Sequence, residues 1–397
     1  MAHQFKYVII GGGLAGASAV EGIRSRDQSG SIALFCKESR LPYDRPPLSK
    51  GLWSGKTTLD QLPVYPESFY TSNNVHLLLG SEVTDIDTKK NQVTDNSGHR
   101  YGYDKLLLAT GGSPRRLSFG DDAIQYFRTA DDYLYLRRAT ETHDSFALIG
   151  GGFIGAELAA ALISAGKKVT MLFPDTMILQ KVLPAALSRY VTEYYRSKGV
   201  TILDGDVPTD AARSGGVVRV TTRKGKTLAA DVAVAAIGLN LHLEIAKRAA
   251  LKVENGIVVN TLLQSSVANI FAAGDVAFFP SGSLDKSIRI EHWNNAQSQG
   301  RHAGENMAGP ERPFEYLPYF YSDLFDLGFE AIGDLDARLE TYADWREEFR
   351  EGVVYYFESG YVRGVLLWNV WGKVDDARRL IDRKKRHQRT DQLKGAL

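Results

Sequence analysis

The sequence predicts an α/β protein: two Rossmann-like, doubly wound parallel-sheet units plus a smaller C-terminal α+β domain. Three observations predict it. An aliphatic strand, a glycine-rich turn and a helix occur twice, as "YVIIGGGLAGASAVEGI" from Tyr7 and "FALIGGGFIGAELAAAL" from Phe146. The chain has 397 residues, too many for one core. Near the C-terminus, "GVVYYFESGYVRGVLLWN" reads as two strands around a turn at Glu358 to Gly360.

The two glycine turns carry the first functional signal. Gly11, Gly13 and Gly16 recur as Gly150, Gly152 and Gly155, 139 positions later. In a GxGxxG turn the first glycine makes the bend and the second lets backbone amides approach a pyrophosphate. The third lets the helix pack on the strand, with its N-terminus aimed at the phosphates. Here each copy follows a strand, opens a helix and is followed by another strand, "SIALFCKE" and "KKVTMLFPD". An acid about 20 residues beyond is expected to hold the ribose hydroxyls. Asp175 stands 20 residues past Gly155. For the first copy the candidate is Glu38, 22 past Gly16, because Lys37 occupies the place just after the strand.

Two dinucleotide sites imply electron transfer between two cofactors, commonly FAD and a nicotinamide. "YDKLLLATGGSPRRL" (Tyr103 to Leu117) ends an aliphatic strand in a glycine turn, and "DVAVAAIGLN" (Asp231 to Asn240) repeats that shape. "ANIFAAGDVA" places Asp275 after a strand and beside a glycine, where it could meet ribityl or phosphate oxygens. Asp175 would repel a 2′-phosphate and accept from a free hydroxyl, which favours NADH over NADPH.

Several classes are excluded. With 44% hydrophobic residues, 24% charged and a net charge of +1, the whole molecule is not built for a polyanion. The basic end of the chain lacks the interleaved aromatics of a nucleic-acid binder. The single cysteine, Cys36, rules out a disulfide within the chain and any CxxC redox or metal motif. No metal site is expected. Phe146 to Gly166 is apolar enough to suggest a membrane span, but its glycines and Glu157 read as strand, turn and buried helix. The N-terminus enters a strand without a cationic leader, so a cytoplasmic location is expected.

On these residues the chain resembles the FAD-dependent NAD(P)H oxidoreductases with two dinucleotide-binding domains, the glutathione-reductase-like arrangement. "RPPLSK", "ATGGSPR", "GGGFIGAELA" and "IFAAGD" are the landmarks. Within that group it looks like the branch holding ferredoxin and rubredoxin reductases, monodehydroascorbate reductase and apoptosis-inducing factor. "LFPD", "RIEHWNNAQSQGRHAGENMAG", "YFYSDLFDLGFEAIGD" and "GVLLWNVWGKVDDARRLI" are most similar to the last of these.

The resemblance implies an FAD domain at 1–117 that resumes at 245–314, an NAD(H) domain at 118–244 and a C-terminal domain at 315–397. It also explains the stretch "LPYDRPPLSKGL". Disulfide reductases of the wider group carry a cysteine pair there; this chain has prolines that fix the backbone, with Arg45 and Lys50. The resemblance implies that Arg45 meets the FAD pyrophosphate and that Lys50, paired with Glu157, lies near flavin N5. Phe153 would cover the flavin until nicotinamide displaces it. Glu291, His292 and Trp293 would face the nicotinamide and the flavin, with Tyr321 beside the ring. Val83, Arg115, Ile154 and Gly238 would complete the cofactor contacts.

The function implied is hydride transfer from NADH to flavin N5, then electrons to an acceptor such as ferredoxin or rubredoxin. The basic run at 377–397 could dock an acidic electron-transfer protein. One alternative is reduction of a small molecule, such as a quinone or monodehydroascorbate. Another is a redox sensor like apoptosis-inducing factor, with slow NADH oxidation, a long-lived charge-transfer complex and a homodimer that changes with reduction.

Overall fold

Each glycine turn closes a parallel sheet, and the two sheets are built alike. The computed structural model describes residues 3–387 and 390–397. They divide into two compact units. One holds the chain up to Asp44, Asp60–Ser113 and Leu241–Pro318; the other holds Arg45–Leu59, Pro114–Asn240 and the chain from Tyr319 onward.

In the first unit the strand His3–Ile10 lies between Ile32–Cys36 and Arg100–Leu108, all parallel, with Val75–Leu79 and Ile270–Ala272 outside them. Ile32–Cys36 is buried at every residue, as expected of a strand covered on both faces. An antiparallel extension, Val83–Asp87 and Gln92–Asp95, pairs with the start of the long strand Arg100–Leu108.

Two helices cover this sheet at unusually close range. Leu14–Arg24 and Trp293–Ala308 meet through small residues. A Cβ on Gly300 would lie 2.2 Å from the Ala15 carbonyl oxygen, and one on Gly304 2.2 Å from that of Ala19. Backbone therefore touches backbone, and neither position has room for a side chain.

The second unit repeats the plan. Its parallel sheet runs Thr201–Asp204, Lys168–Phe173, Ser145–Ile149, Val232–Ala235, Ile124–Tyr126. A three-stranded antiparallel sheet, Pro208–Ser214, Val217–Thr222 and Thr227–Ala230, stands where the first unit has its own extension. The apolar run from Phe146 is the strand Ser145–Ile149 followed by the helix Phe153–Ser164. Among the described residues no helix is long and apolar enough to cross a membrane.

The C-terminal part of this unit is α+β. Five antiparallel strands run in the order Tyr319–Leu324, Leu327–Gly333, Tyr361–Trp368, Glu351–Glu358, Glu340–Glu347. The expected turn is there, with Ser359 and Gly360 both at positive φ, the backbone that lets a two-residue hairpin follow the sheet's twist. The helix Val374–Asp382 buries Ala377 and Ile381 and packs on two of the strands. The hydroxyl of Tyr356 donates to the Val182 carbonyl, tying this sheet to the loop after Lys168–Phe173.

The helix contact makes the first prediction. Gly300→Val should destabilise the fold by about 3 kcal/mol, the upper range for overpacking. Gly282→Ala, which meets nothing within 4 Å, should change stability by less than about 0.5 kcal/mol. Thermal unfolding of the two variants checks the contrast.

Candidate functional site

The two glycine turns can be tested for what each residue is for. Gly11 and Gly150 have φ of 128° and 126°, and a Cβ on either would collide with a carbonyl oxygen, that of Ala109 or Ala236. A Cβ on Gly16 or Gly155 would strike the carbonyl of Gly11 or Gly150. Structure alone explains these four. Gly13 and Gly152 are different. Each caps its helix in extended backbone open to any residue (φ −94° and −84°), and a Cβ on either meets nothing within 4 Å. Neither the backbone nor the packing requires glycine there. Open space at a helix N-terminus suits a pyrophosphate, so the fold fits a dinucleotide in both turns.

The middle glycines fix the register of the acids. A Cβ on Gly12 would meet Cys36 Sγ at 2.4 Å, and one on Gly151 would meet the Phe173 ring at 2.8 Å. Cys36 and Phe173 are the last residues of their strands. Glu38 and Asp175 each lie two residues beyond, in equivalent places. Counting from the strand end removes the apparent two-residue mismatch. Lys37, the intruder at the strand's edge, turns outward and pairs with Glu82 at 2.9 Å. Tyr43 donates to Glu38 at 2.7 Å. Lys181 is 3.8 Å from the Asp175 carboxylate. Cys36 is buried, and burial followed by the Glu38 charge pushes its thiol up to about 12. It is a small hydrophobe beneath a turn, not a nucleophile.

Elsewhere in the first unit, Gly274 sits at φ 76° and donates its N–H to the buried Gln299 Oε1, which presents Asp275 half-buried after its strand. His292 caps the helix Trp293–Ala308, and Arg289 pairs with Glu291. The Trp293 indole donates to Asp44 at 2.6 Å. Burial raises the Asp44 carboxyl pKa, and the indole hydrogen bond opposes that rise. Val83 is buried in its strand.

The second unit holds the densest polar cluster. Glu157, on the first turns of the glycine-turn helix, has a side chain only 2% exposed. Its Oε1 accepts from Lys50 Nζ and from Ser322 Oγ, and its Oε2 from Ser49 Oγ, each at 2.6 Å. A buried charge needs such partners, because desolvation alone would cost several kcal/mol. The buried phenol of Tyr195 donates to the Ala156 carbonyl, and burial, then the Glu157 charge, raises its pKa. Lys50 also stands 5.2 Å from the Tyr321 ring centroid. The loop before it is braced: Pro46–Ser49 is one turn of 3-10 helix, and Arg45 donates to the Arg128 carbonyl.

One strand lines up these contacts. Phe153 and Glu157 are four residues apart, hence on one face of their helix and about 6 Å apart along it. Phe320 and Ser322 are two apart, on one face of the edge strand Tyr319–Leu324 and about 7 Å apart. The spacings match, so Phe153 packs edge-on against Phe320, 5.5 Å between centroids, while Ser322 reaches Glu157. Tyr321 projects from the opposite face. Phe153 also touches Phe329, and the adjacent Ile154 is 39% exposed. Arg115 donates from its backbone N–H to the Gly238 carbonyl and from Nε to that of Leu239.

The family resemblance implied the pairing of Lys50 with Glu157, but nothing in the sequence singled out Ser49, Ser322, Asp44 or Gln299. Their only signal was proximity in the chain to residues already chosen. Among the described residues no cluster of three or more His, Cys, Asp or Glu could hold a metal ion.

Residues 5–300 match the family model described as pyridine nucleotide-disulphide oxidoreductase. The chain belongs to that family. It is an FAD-dependent NAD(P)H oxidoreductase, and a member without a cysteine pair. Residues 303–347 and 342–383 match the C-terminal family of mitochondrion-associated apoptosis-inducing factor. The chain is 34% identical to apoptosis-inducing factor 1, mitochondrial, of Dictyostelium discoideum, over 100% of this chain and 81% of that protein. It is 33% identical to rubredoxin-NAD(+) reductase of Pseudomonas putida, over 83% and 86% respectively. Among solved structures, the covalent putidaredoxin reductase–putidaredoxin complex matches with a TM-score of 0.90 and 32% identity, covering 96% of this chain and 93% of that one.

The open glycines yield a paired test. Gly13→Ala should leave the melting temperature of the apoprotein nearly unchanged while weakening FAD binding at least tenfold. Gly152→Ala should keep the flavin and weaken the pyridine nucleotide about tenfold. Flavin absorbance per chain and nucleotide titration check each arm.

Proposed function

We propose that this oxidoreductase takes electrons from NADH and delivers them one at a time to a small iron–sulfur or rubredoxin-type protein. The observation that carries the reading is the buried Lys50–Glu157 pair, whose lysine belongs to the loop that, by the resemblance, carries the cysteines in a disulfide reductase. FAD, when bound, would supply the hydride acceptor and the single-electron donor that this chain's side chains lack. The residues proposed to hold it are Gly11, Gly13, Gly16, Glu38, Arg45, Val83, Asp275, Glu291, His292 and Trp293, from segments 1–117 and 245–314, with Tyr321 from segment 315–397. Segment 118–244 would hold NADH through Gly150, Gly152, Gly155, Ile154, Asp175 and Gly238, with Arg115 just before it.

Lys50 would supply a fixed cation beside the flavin, where it would stabilise negative charge without reorganisation. Glu157 balances the ammonium and orients the nicotinamide. Phe153 would cover the flavin face in the absence of nicotinamide. Asp175 accepts from a free 2′-hydroxyl and repels a 2′-phosphate, which selects NADH. The acceptor class comes from the relatives, whose names couple them to rubredoxin and putidaredoxin. Arg383, Lys384, Lys385 and Arg386 are exposed, and an acidic partner would find them there. Gln388 and Arg389 of the same run lie outside the described residues.

A second reading is favoured by the likeness to apoptosis-inducing factor over the whole of this chain and 81% of that protein: a redox sensor that oxidises NADH slowly and changes its oligomeric state.

Steady-state kinetics separate these readings. NADH should exceed NADPH by at least tenfold in kcat/KM, and Asp175→Asn should narrow that ratio severalfold. Neutralising the four cations should raise the KM for a ferredoxin-type acceptor about tenfold at low salt and leave that for NADH unchanged. Turnover slow with every acceptor, with dimerisation on reduction, would favour the sensor.

A further inference from the structure

Glu157 accepts more hydrogen bonds than pairing with Lys50 requires. Both serines that donate to it are buried, Ser49 at 4% exposure and Ser322 at 1%, and they come from separate elements, the loop of Lys50 and the edge strand Tyr319–Leu324. We infer that Ser322 and Ser49 are positioning residues for electron transfer, dividing the Glu157 charge so that part of the Lys50 field remains for the flavin. The inference rests on the proposed placement of Lys50 beside the ring.

The geometry explains how. Ser322 shares Oε1 with Lys50, both at 2.6 Å, while Ser49 takes Oε2 alone. A carboxylate with one donor would concentrate its compensation on the ammonium. Two short hydroxyl bonds draw charge density away from that contact, since hydrogen bonds to an ionised acceptor are among the strong ones. Lys50 is also fixed sideways: its ammonium lies over the Tyr321 ring, on the strand that supplies Ser322. Removing Ser322 should therefore tighten the Lys50–Glu157 pair and weaken the cation as seen by the cofactor. The side chain of Phe320 packs on Phe153 from the same strand face, so the serine sits in a braced register and not at a mobile tip.

The test is the midpoint potential of the bound flavin, measured anaerobically by equilibration with a reference dye in the full-length holoprotein. Ser322→Ala should shift the equilibrium toward oxidised flavin about tenfold, about 30 mV lower for a two-electron couple. Ser322→Thr, which keeps the hydroxyl, should restore it. Ser49→Ala should act in the same direction from the other oxygen, so loss of the fold in one variant leaves the other to decide. Glu157→Gln, which frees Lys50, should raise the potential. Opposite signs would not arise from a merely structural role. An unchanged potential in both serine variants, with Glu157→Gln raising it, would overturn the role of the serines and leave the Lys50 placement standing. No change in Glu157→Gln would remove the placement itself, and the inference with it.

Discussion

A single buried carboxylate organises the second unit. Glu157 is almost without solvent, and its three donors come from two remote segments of the chain. Removing one partner of such a pair leaves an uncompensated charge, a loss of about 3–5 kcal/mol. The loop of Lys50, the glycine-turn helix and the edge strand Tyr319–Leu324 are thus held in one arrangement. That arrangement fixes which strand residue meets which helix residue, and so where Phe153, Lys50 and Tyr321 stand relative to one another.

The other constraint is steric, and the chain meets it twice. In both glycine turns the first and third glycines are required by carbonyl oxygens 2.0–2.3 Å from where a Cβ would be, while the second faces open space. A turn that served packing alone would need only the first and third. The repeated vacancy at the second, each time at a helix N-terminus, separates a nucleotide cradle from a mere tight bend. Cys36 and Phe173 do corresponding work under these turns although one is a thiol and the other an aromatic ring. The position demands a buried side chain at the strand end, and either satisfies it.

Much of this was legible in the sequence because it is local. The strand–turn–helix echoes and the hairpin at Ser359 and Gly360 are of that kind, whereas the pairing of Lys50 with Glu157 spans 107 positions and was implied only by the family resemblance. The acid of the first turn was harder. Counting from Gly16 left Glu38 two residues late with Lys37 in its place; counting from the strand end puts it level with Asp175. Ser322 lies 165 residues from Glu157, and serine in a strand carries no signal of its own. Gly300 and Gly304 stand in a helix without any local signal. Their reason is the carbonyls of a helix nearly 300 positions earlier, which no local pattern reveals.

The most direct test of the functional reading is anaerobic stopped-flow mixing of the yellow holoprotein with NADH, followed by a ferredoxin-type acceptor. Fast bleaching of the flavin band and its prompt return with the acceptor is the result expected of a reductase whose electrons leave singly. A purified chain that carries no flavin, or a flavin that NADH does not bleach, would contradict it.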